Sequence, residues 1–589
     1  MNYFTDEKEW IWLFNNAIYW DKLIPLYSSR FPNELGLNSA DEYKDYLRDI
    51  LTTTGKWASE KVAPRGRRLD REGAGELIDG VTVPGSALRE LYKEASELAV
   101  FGPSIPVEFG GPEMIVSSAL FIHAQVARAC IASSTQLGFF SCIADMVHRF
   151  CDQKTRDRLL PNILNGKLSG AMCMTEPACG SDLAQIKTSA ILQNDGSYQI
   201  SGTKIFITNA GGGINFTLAR VKGAAEGLAG ISLFLVEQHV DGKLNFRVTK
   251  NEEKMGLHGS FTCEVLYENS KAQLIGKENE GLKLMFHLMN EARLATSLQA
   301  LGGIEACIQY AREYAESRTA FGKKLLELPL FARNFHDIEV ERDALRAVVV
   351  DSLNWFDIYQ KLDLKSRHTN DLTESETKLL KEALRYSRKR TPLLKYWGTE
   401  TYTRISKEVI QMLGGHGLMK DHPVEQWHRD SFAPLLYEGT SQIQALMALK
   451  DIIKYALQDP KKYFGKLFFQ NTLTSTIQRE KSWHKECTRV EFRFKAQLGK
   501  LLFKSLRPNK KEIFNPKSCM QEENVQKVLV HAETVCQGLY MMETLKVLAD
   551  HCDKDKSREA LFVNYLGLCA PRFEYIYKDW EIRTKNIES

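Results

Sequence analysis

The hydrophobic period of this chain changes twice, and that change limits its architecture more than any other feature. From residue 41 to about 169 the apolar residues recur at helical spacing. In the run 41–62, Tyr43, Leu47, Ile50, Leu51 and Trp57 fall near one face. Residues 115–150, rich in Ala, Leu and Phe, predict a second helical run, and Pro106-Val107-Glu108-Phe109-Gly110-Gly111 predicts a loop between the two. From about 171 to 275 the period is two. Stretches 198–201 and 204–208, parted at Gly202, are followed by 216–221, 231–236, 245–248 and 263–267. Short strands with Gly, Asn or Asp punctuation every ~8–12 residues point to a small β-sandwich or barrel. The helical period returns from 281 to about 457. There Ile405, Val409 and Leu413 share a face, and Gly414-Gly415 stand where a helix would stop. The polar stretch 361–377 predicts an inter-helix connection. Residues 459–589 predict further helices, interrupted by a loop at 507–516. Helices segregated from strands in this way make an α+β protein rather than a doubly wound sheet. The expected units are an N-terminal arm (1–40), a helical domain (41–169), a β domain (170–278), a second helical domain (279–458) and an extra helical C-terminal domain (459–589).

Composition narrows the function. The 589 residues carry 78 Lys and Arg against 74 Asp and Glu, a net charge of +4, which gives no support to a nucleic-acid partner. No run approaches the ~18–20 apolar residues of a membrane span. The first sixteen residues are acidic and aromatic, unlike a secretory or mitochondrial leader. The 12 cysteines form no C-x-x-C pair and read as reduced thiols, so the expected address is cytoplasmic, in a bacterium. G-x-G-x-x-G after a strand, G-x-x-x-x-G-K-[ST], H-E-x-x-H, paired C-x-x-C and G-x-S-x-G are all missing, so no metal site is expected.

Three segments carry chemical potential. In Met174-Thr175-Glu176-Pro177-Ala178-Cys179-Gly180-Ser181-Asp182, Pro and Gly expose backbone N–H groups between two hydroxyls. Such a loop suits a polar ligand edge, and it is also what an ordinary loop looks like. Arg318 to Lys324 is a basic cluster after a helix, able to meet phosphate or to lie solvated. Glu438 follows Leu435, Leu436 and Tyr437. An acid in apolar surroundings is raised in pKa and can act as a general base; a salt-bridged Glu is the alternative.

In this order and spacing the segments resemble the acyl-CoA dehydrogenase family over residues 41–457. The family's T-E-P-x-[AC]-G-[ST]-D pattern matches 175–182, R-x-x-F-G matches 318–322, Q-x-x-G-G-x-G matches 411–417 and Y-E-G-T-x-x-I-Q matches 437–444. The residues beyond resemble the long subfamily with an added C-terminal domain, which includes 3-methylthiopropanoyl-CoA dehydrogenase and some bacterial fatty acyl-CoA dehydrogenases. The resemblance implies that the second helical domain is a four-helix bundle. It implies FAD as cofactor, acyl-CoA as substrate, α,β-dehydrogenation to trans-2-enoyl-CoA in fatty acid β-oxidation, and electron-transfer flavoprotein as acceptor. Glu438 is then the base. Met174, Thr175, Ser181, Phe206, Ile207, Thr208, Thr440 and Gln442 bind the flavin. Arg318 and Phe321 reach the FAD of a neighbouring subunit, and Gln411, Gly414 and Gly415 approach its diphosphate and adenosine end. Ser181, Arg293 and Gly439 face the CoA thioester. Some members place the base immediately before the Arg that Arg293 matches. Here that position is Ala292, and Glu291 is turned about 100° away around a helix.

A shared cofactor implies an oligomer, and a C-terminal extension that covers the second dimer face implies a homodimer. An acyl-CoA oxidase and a DNA-associated flavoprotein of the same fold are the alternative functions. The expected acyl group is straight and medium to long, with methylthiopropanoyl as the specific alternative. The stretch 489–507 interleaves Arg and Lys with Phe and Leu, which predicts either a helix packed on the core or a peripheral membrane contact.

Overall fold

A computed structural model describes residues 1–369, 371–458, 482–506 and 522–588. The arm is helical. Helices Lys8–Asn16 and Trp20–Tyr27 bury Trp10, Leu13, Phe14 and Trp20 against the rest of the chain. Helix Ala40–Trp57 starts where the Ser39 side chain accepts the Glu42 N–H, and it continues through Ala58–Val62 into Ala63–Glu72. A hairpin, Gly75–Ile78 with Val81–Pro84, follows. The predicted run 115–150 is two helices, Val116–Ala129 and Ile131–Phe150. Cys130 adopts an extended backbone (φ −164°) that breaks the helical hydrogen bonding without a Gly or Pro to announce it.

The β domain is a closed barrel. Strand Thr262–Ile275 pairs with Tyr198–Thr208, which pairs with Ser189–Leu192, then Gly213–Val221, then Ile231–Glu237, and this last pairs back onto Thr262–Ile275. Strands Arg247–Asn251 and Ser169–Cys173 add to its margins. Stretches 198–201 and 204–208 are one strand. Gly202 lies within it at φ +151°, where a Cβ would stand 2.5 Å from the Thr188 hydroxyl.

Four long helices form the bundle: Gly281–Ser317, Pro329–His368, Glu374–Leu413 and Ser441–Gln458. The expected connection over 361–377 is far shorter. Helix Pro329–His368 continues because its polar face is laced by the Arg367–Asp363 pair. The next helix starts at a capping box between Thr373 and Glu376, with Lys365 bridging to Glu376 at 2.7 Å. Polarity there marks a solvated helix face, not a loop.

The C-terminal helices Ser482–Ser505, Ala532–Lys554 and Glu559–Glu588 dock on the bundle through the last two, Arg572 pairing with Glu341. Trp397 stacks on Tyr540 at 4.6 Å, and buried Glu543 receives Lys389 and Arg390. Phe494, Leu498, Leu501 and Leu502 point into this domain, and Arg493 and Lys495 pair with Glu574 and Glu491. Four of the apolar residues over 489–507 therefore face the core, while Phe492 and Phe503 stay exposed. Arg507 and the predicted loop 507–516 lie outside the described residues. Among the described residues no helix is long and apolar enough to cross a membrane.

The arm ties the parts together. Trp10 donates to Glu305 (2.9 Å), which also receives Arg346 (2.7 Å). Glu7 pairs with Arg128 and Arg346, and Trp12 donates to Asp555 in the C-terminal domain. Replacing Trp10 removes a buried ring and leaves Glu305 with one partner fewer. Trp10→Ala is expected to cost about 3–5 kcal/mol and to lower the first calorimetric unfolding transition, whereas exposed Lys8→Ala is expected to leave it in place.

Candidate active site

Glu438 ends a short helix, Phe432–Leu436, and precedes Ser441–Gln458. Its backbone is left-handed at φ +58°, an unfavourable conformation for a residue with a Cβ. Three buried side chains from three helices hold it there. Arg293 donates to the Glu438 carbonyl at 3.0 Å, and Gln444 donates to the same carbonyl at 2.9 Å. Lys395 donates to the carbonyls of Leu435 (3.0 Å) and Gly439 (2.7 Å), one on each side of the bend. Gly439 sits at φ +93°, and a Cβ there would lie 2.7 Å from the Gln444 amide nitrogen.

These groups grip backbone, not the carboxyl. The buried Oε2 of Glu438 has no protein hydrogen-bond partner. Burial raises the acid to about 7, while the charges of Arg293 and Lys395 pull the other way without prevailing. Lys395, also buried, is pushed down to about 7. A neutral amine still has enough N–H groups for both carbonyls.

The neighbouring Tyr437 extends the scaffold. Its hydroxyl donates to Gln299 (2.7 Å), whose amide donates to Thr135 (3.1 Å). The next residue, Gln136, reaches the barrel: it bonds Asn209 and accepts the Phe261 N–H at 3.1 Å. Side-chain bonds thus join the Glu438 loop to Thr135, and the adjacent Gln136 makes separate bonds to the barrel at the end of the strand carrying Phe206, Ile207 and Thr208.

On that barrel edge the 174–182 loop is rigid. Buried Glu176 accepts from the N–H groups of Lys187 and Thr188 and pairs with Lys204 at 2.8 Å, and Thr175 accepts the Ile205 N–H. Met174 and Thr175 are half-buried, and Ser181 is exposed. Phe206 is 61% exposed at φ +59°, a bare aromatic ring beside the loop. Ile207 is buried in the barrel, so only its backbone is on offer. Thr440 and Gln442 follow Glu438 directly.

The remaining predicted residues are elsewhere. Arg318 and Phe321 lie at the far end of helix Gly281–Ser317, about 37 Å along its axis from Arg293. Phe321 is 95% exposed at the tip of a small hairpin, Thr319–Ala320 with Lys323–Lys324. Gln411, Gly414 and Gly415 are exposed at that same end, where Tyr314 bonds Leu413 and His416. The predicted cofactor and substrate residues therefore fall into two groups, set apart along that helix.

Lys395, Gln299, Thr135 and Gln136 went unread in the sequence. Lys395 did leave a trace: it is the one charge in Leu393-Leu394-Lys395-Tyr396-Trp397.

Lys395→Met would orphan the Leu435 carbonyl at about 1–3 kcal/mol and leave the Gly439 carbonyl to Gln444 alone. It is expected to lower turnover roughly 10–100-fold in steady-state assays while the protein stays folded by circular dichroism. Glu438 binds protons more readily folded than unfolded, so stability falls as pH rises from its ordinary 4.5 through about 7. Glu438→Gln is expected to raise the melting temperature at about pH 8 and to leave it unchanged at about pH 4.

Three family matches coincide with the three parts of this scaffold. The acyl-CoA dehydrogenase N-terminal, middle and C-terminal domains match residues 44–167, 171–270 and 279–453. An acyl-CoA dehydrogenase of Bacillus subtilis (strain 168) is 30% identical over 369 residues, 62% of this chain and 89% of its own. A 3-methylmercaptopropionyl-CoA dehydrogenase of Ruegeria pomeroyi is 29% identical over 448 residues, 71% of this chain and 72% of its own. The acyl-CoA dehydrogenase from Bacillus anthracis, solved with FAD, superposes with a TM-score of 0.74 at 19% identity, covering 92% of this chain and 88% of that one. Its similarity extends over the C-terminal helices as well as the three domains. With all three domains matched in order, and a buried, raised carboxyl on the loop where they meet, this chain belongs to the acyl-CoA dehydrogenase family of oxidoreductases.

Proposed function

We propose that this protein is an FAD-dependent acyl-CoA dehydrogenase in which Glu438 removes the α-proton of the thioester. The observation that carries the reading is a carboxyl with one unpartnered buried oxygen, raised to about 7 yet fixed in place through its backbone. A base poised near neutrality gives both a useful charged fraction and a useful proton affinity. No protein acceptor takes the Glu438 N–H among the described residues. That N–H is free to polarise the thioester carbonyl as enolate character develops. Arg293 keeps positive charge beside the same point.

The residues present fit FAD. The bare Phe206 ring, the rigid 174–182 loop and Thr208 offer an aromatic wall and polar edges for an isoalloxazine. Gly414 and Gly415 leave open space above their backbone, which suits close approach of a diphosphate. The chemistry that bound FAD supplies is acceptance of the β-hydrogen as hydride. Electrons then leave to an electron-transfer flavoprotein, as the family resemblance implies. The two separated groups on one chain support a homodimer, with Arg318 and Phe321 of each chain completing the site of its partner.

The test is anaerobic. FAD-loaded protein mixed with a series of acyl-CoA thioesters is expected to lose its oxidised-flavin absorbance. Glu438→Gln is expected to slow that loss by at least roughly 10²–10⁴-fold. Bleaching by the variant at the wild-type rate would remove Glu438 from the chemistry. In the wild type, kcat/KM is expected to rise about tenfold per pH unit below the base's pKa and to level off above about 7. Slow reoxidation of the bleached enzyme in air is the outcome expected of a dehydrogenase; fast reoxidation would make it an oxidase.

A further inference from the structure

Glu438 stands at the end of a segment that the barrel also grips. Helix Val424–Asp430 runs on through Ser431 into Phe432–Leu436, and the bend at Glu438 follows. Helix Glu374–Leu413 pins this segment from one side. The Tyr402 hydroxyl donates to the Trp427 carbonyl at 2.8 Å, the Thr403 hydroxyl to that of Ser431 at 3.2 Å, and Lys395 to that of Leu435. On another side lies the barrel loop 252–261, between strands Arg247–Asn251 and Thr262–Ile275. Buried Asp430 accepts the Leu257 N–H of that loop at 2.6 Å, and its other oxygen receives the Gln426 amide at 3.4 Å. The two backbones approach closely here. A Cβ on Gly256 would stand 2.7 Å from the Arg429 carbonyl and 2.8 Å from the Asp430 nitrogen.

The loop leads directly to the strand end that carries Phe206, Ile207 and Thr208. Leu257 is buried at φ +54°, an unfavourable left-handed conformation for a residue with a Cβ. Its carbonyl accepts the Ser260 N–H at 3.0 Å, and the Phe261 carbonyl accepts the Asn209 N–H at 3.2 Å. Thr262 and Cys263 then pair with Thr208 and Ile207. Arg429 also touches the loop, at 3.4 Å from the Met255 carbonyl, but its short bonds go to Asp70 and Glu425, each at 2.8 Å. The Asp430 bond is thus the short tie between the segment that carries the base and the loop that ends beside Thr208. Burial raises Asp430 to about 6, against the pull of the Leu257 N–H. The tie needs an acceptor oxygen and not a charge, so an amide serves in its place.

We propose that Asp430 is a positioning residue: by holding the Leu257 N–H it sets the separation between the Glu438 carboxyl and the barrel strand 206–208. The proposal rests on the acyl-CoA dehydrogenase reading above and names a residue outside the four motifs that suggested it. The α- and β-carbons of a thioester must fit between a carboxyl carried by the bundle and a flavin flanked by the barrel. A misplacement of about 1 Å in such an arrangement costs on the order of 10²-fold in rate.

The test compares FAD-loaded variants. Asp430→Ala deletes the acceptor, and Asp430→Asn keeps one. Gly256→Ala removes no hydrogen bond and wedges the loop away from the helix. Anaerobic flavin reduction at saturating acyl-CoA is expected to slow roughly 10–100-fold in Asp430→Ala, to slow at least about fivefold in Gly256→Ala, and to stay within about threefold of wild type in Asp430→Asn. Thioester dissociation constants from calorimetry are expected to stay within about threefold throughout, a loss in kcat and not in binding. Without substrate, hydrogen exchange over 254–262 and 205–209 is expected to quicken in Asp430→Ala and not in Asp430→Asn. Asp70→Ala removes the neighbouring pairs with Arg429 and His258, keeps the Leu257 bond, and is expected to leave the reduction rate near wild type. Wild-type rates in Asp430→Ala or Gly256→Ala, an Asn variant as slow as the Ala variant, or equal slowing by Asp70→Ala overturns this proposal alone. Gly256→Ala decides it should Asp430→Ala fail to fold. Absence of flavin reduction in the wild type overturns the acyl-CoA reading and this proposal with it.

Discussion

The Glu438 carboxyl is desolvated, and the three buried donors around it bind the backbone of its loop instead of neutralising it. This separation governs the site. Had Arg293 or Lys395 formed a close ion pair with the carboxylate, the acid would sit well below its ordinary pKa and would be a poor base near neutrality. By taking the carbonyls of Leu435, Glu438 and Gly439, the same cations fix the position of the base and leave its proton affinity high. The left-handed bend at Glu438 is strained by about 1–3 kcal/mol, and these hydrogen bonds are what hold it. They come from helices Gly281–Ser317, Glu374–Leu413 and Ser441–Gln458, so the bundle must assemble before the base is in place.

The bonds of Tyr437, Gln299, Thr135 and Gln136 carry this constraint into the other two domains. Gln136 bonds Asn209 and Phe261 on the barrel, and Thr135 is on a helix of the N-terminal domain. The Glu438 loop and the barrel strand that ends at Thr208 are therefore both tied to helix Ile131–Phe150, through neighbouring residues. Buried polar networks of this kind are costly when half satisfied and specifying when complete.

The long helix Gly281–Ser317 divides function between its ends. Arg293 sits near the base, and the chain leaves the other end through the exposed Phe321 hairpin. The Phe321 ring is left almost wholly in water at positive φ, an unfavourable feature in an isolated chain. The arm and the C-terminal helices occupy other faces of the bundle, where Trp10, Trp12 and Tyr540 bury their rings.

Local signals were legible in the sequence. The switch from period 3.6 to period 2 and back marked the helical and barrel domains, because amphipathic repetition is written residue by residue. The motif around Glu438 and the Thr175–Asp182 loop were recognisable because turn chemistry and close approach demand particular residues at fixed spacing. The break at Cys130, the unbroken strand through Gly202 and the long helix through 361–368 were not. Each depends on what packs beside it, and neither composition nor period reports that. Lys395 shows the same limit. On a helix, a lysine among leucines reads equally as snorkelling or buried, and only the packed bundle turns its ammonium onto two carbonyls. The sequence by itself showed the order of helical and β segments and carried the family motifs, the one around Glu438 among them. The tertiary structure alone decided that the Glu438 carboxyl stays uncompensated and that the predicted residues fall toward the two ends of one helix. Those outcomes turn on desolvation and on distances between residues far apart in the chain.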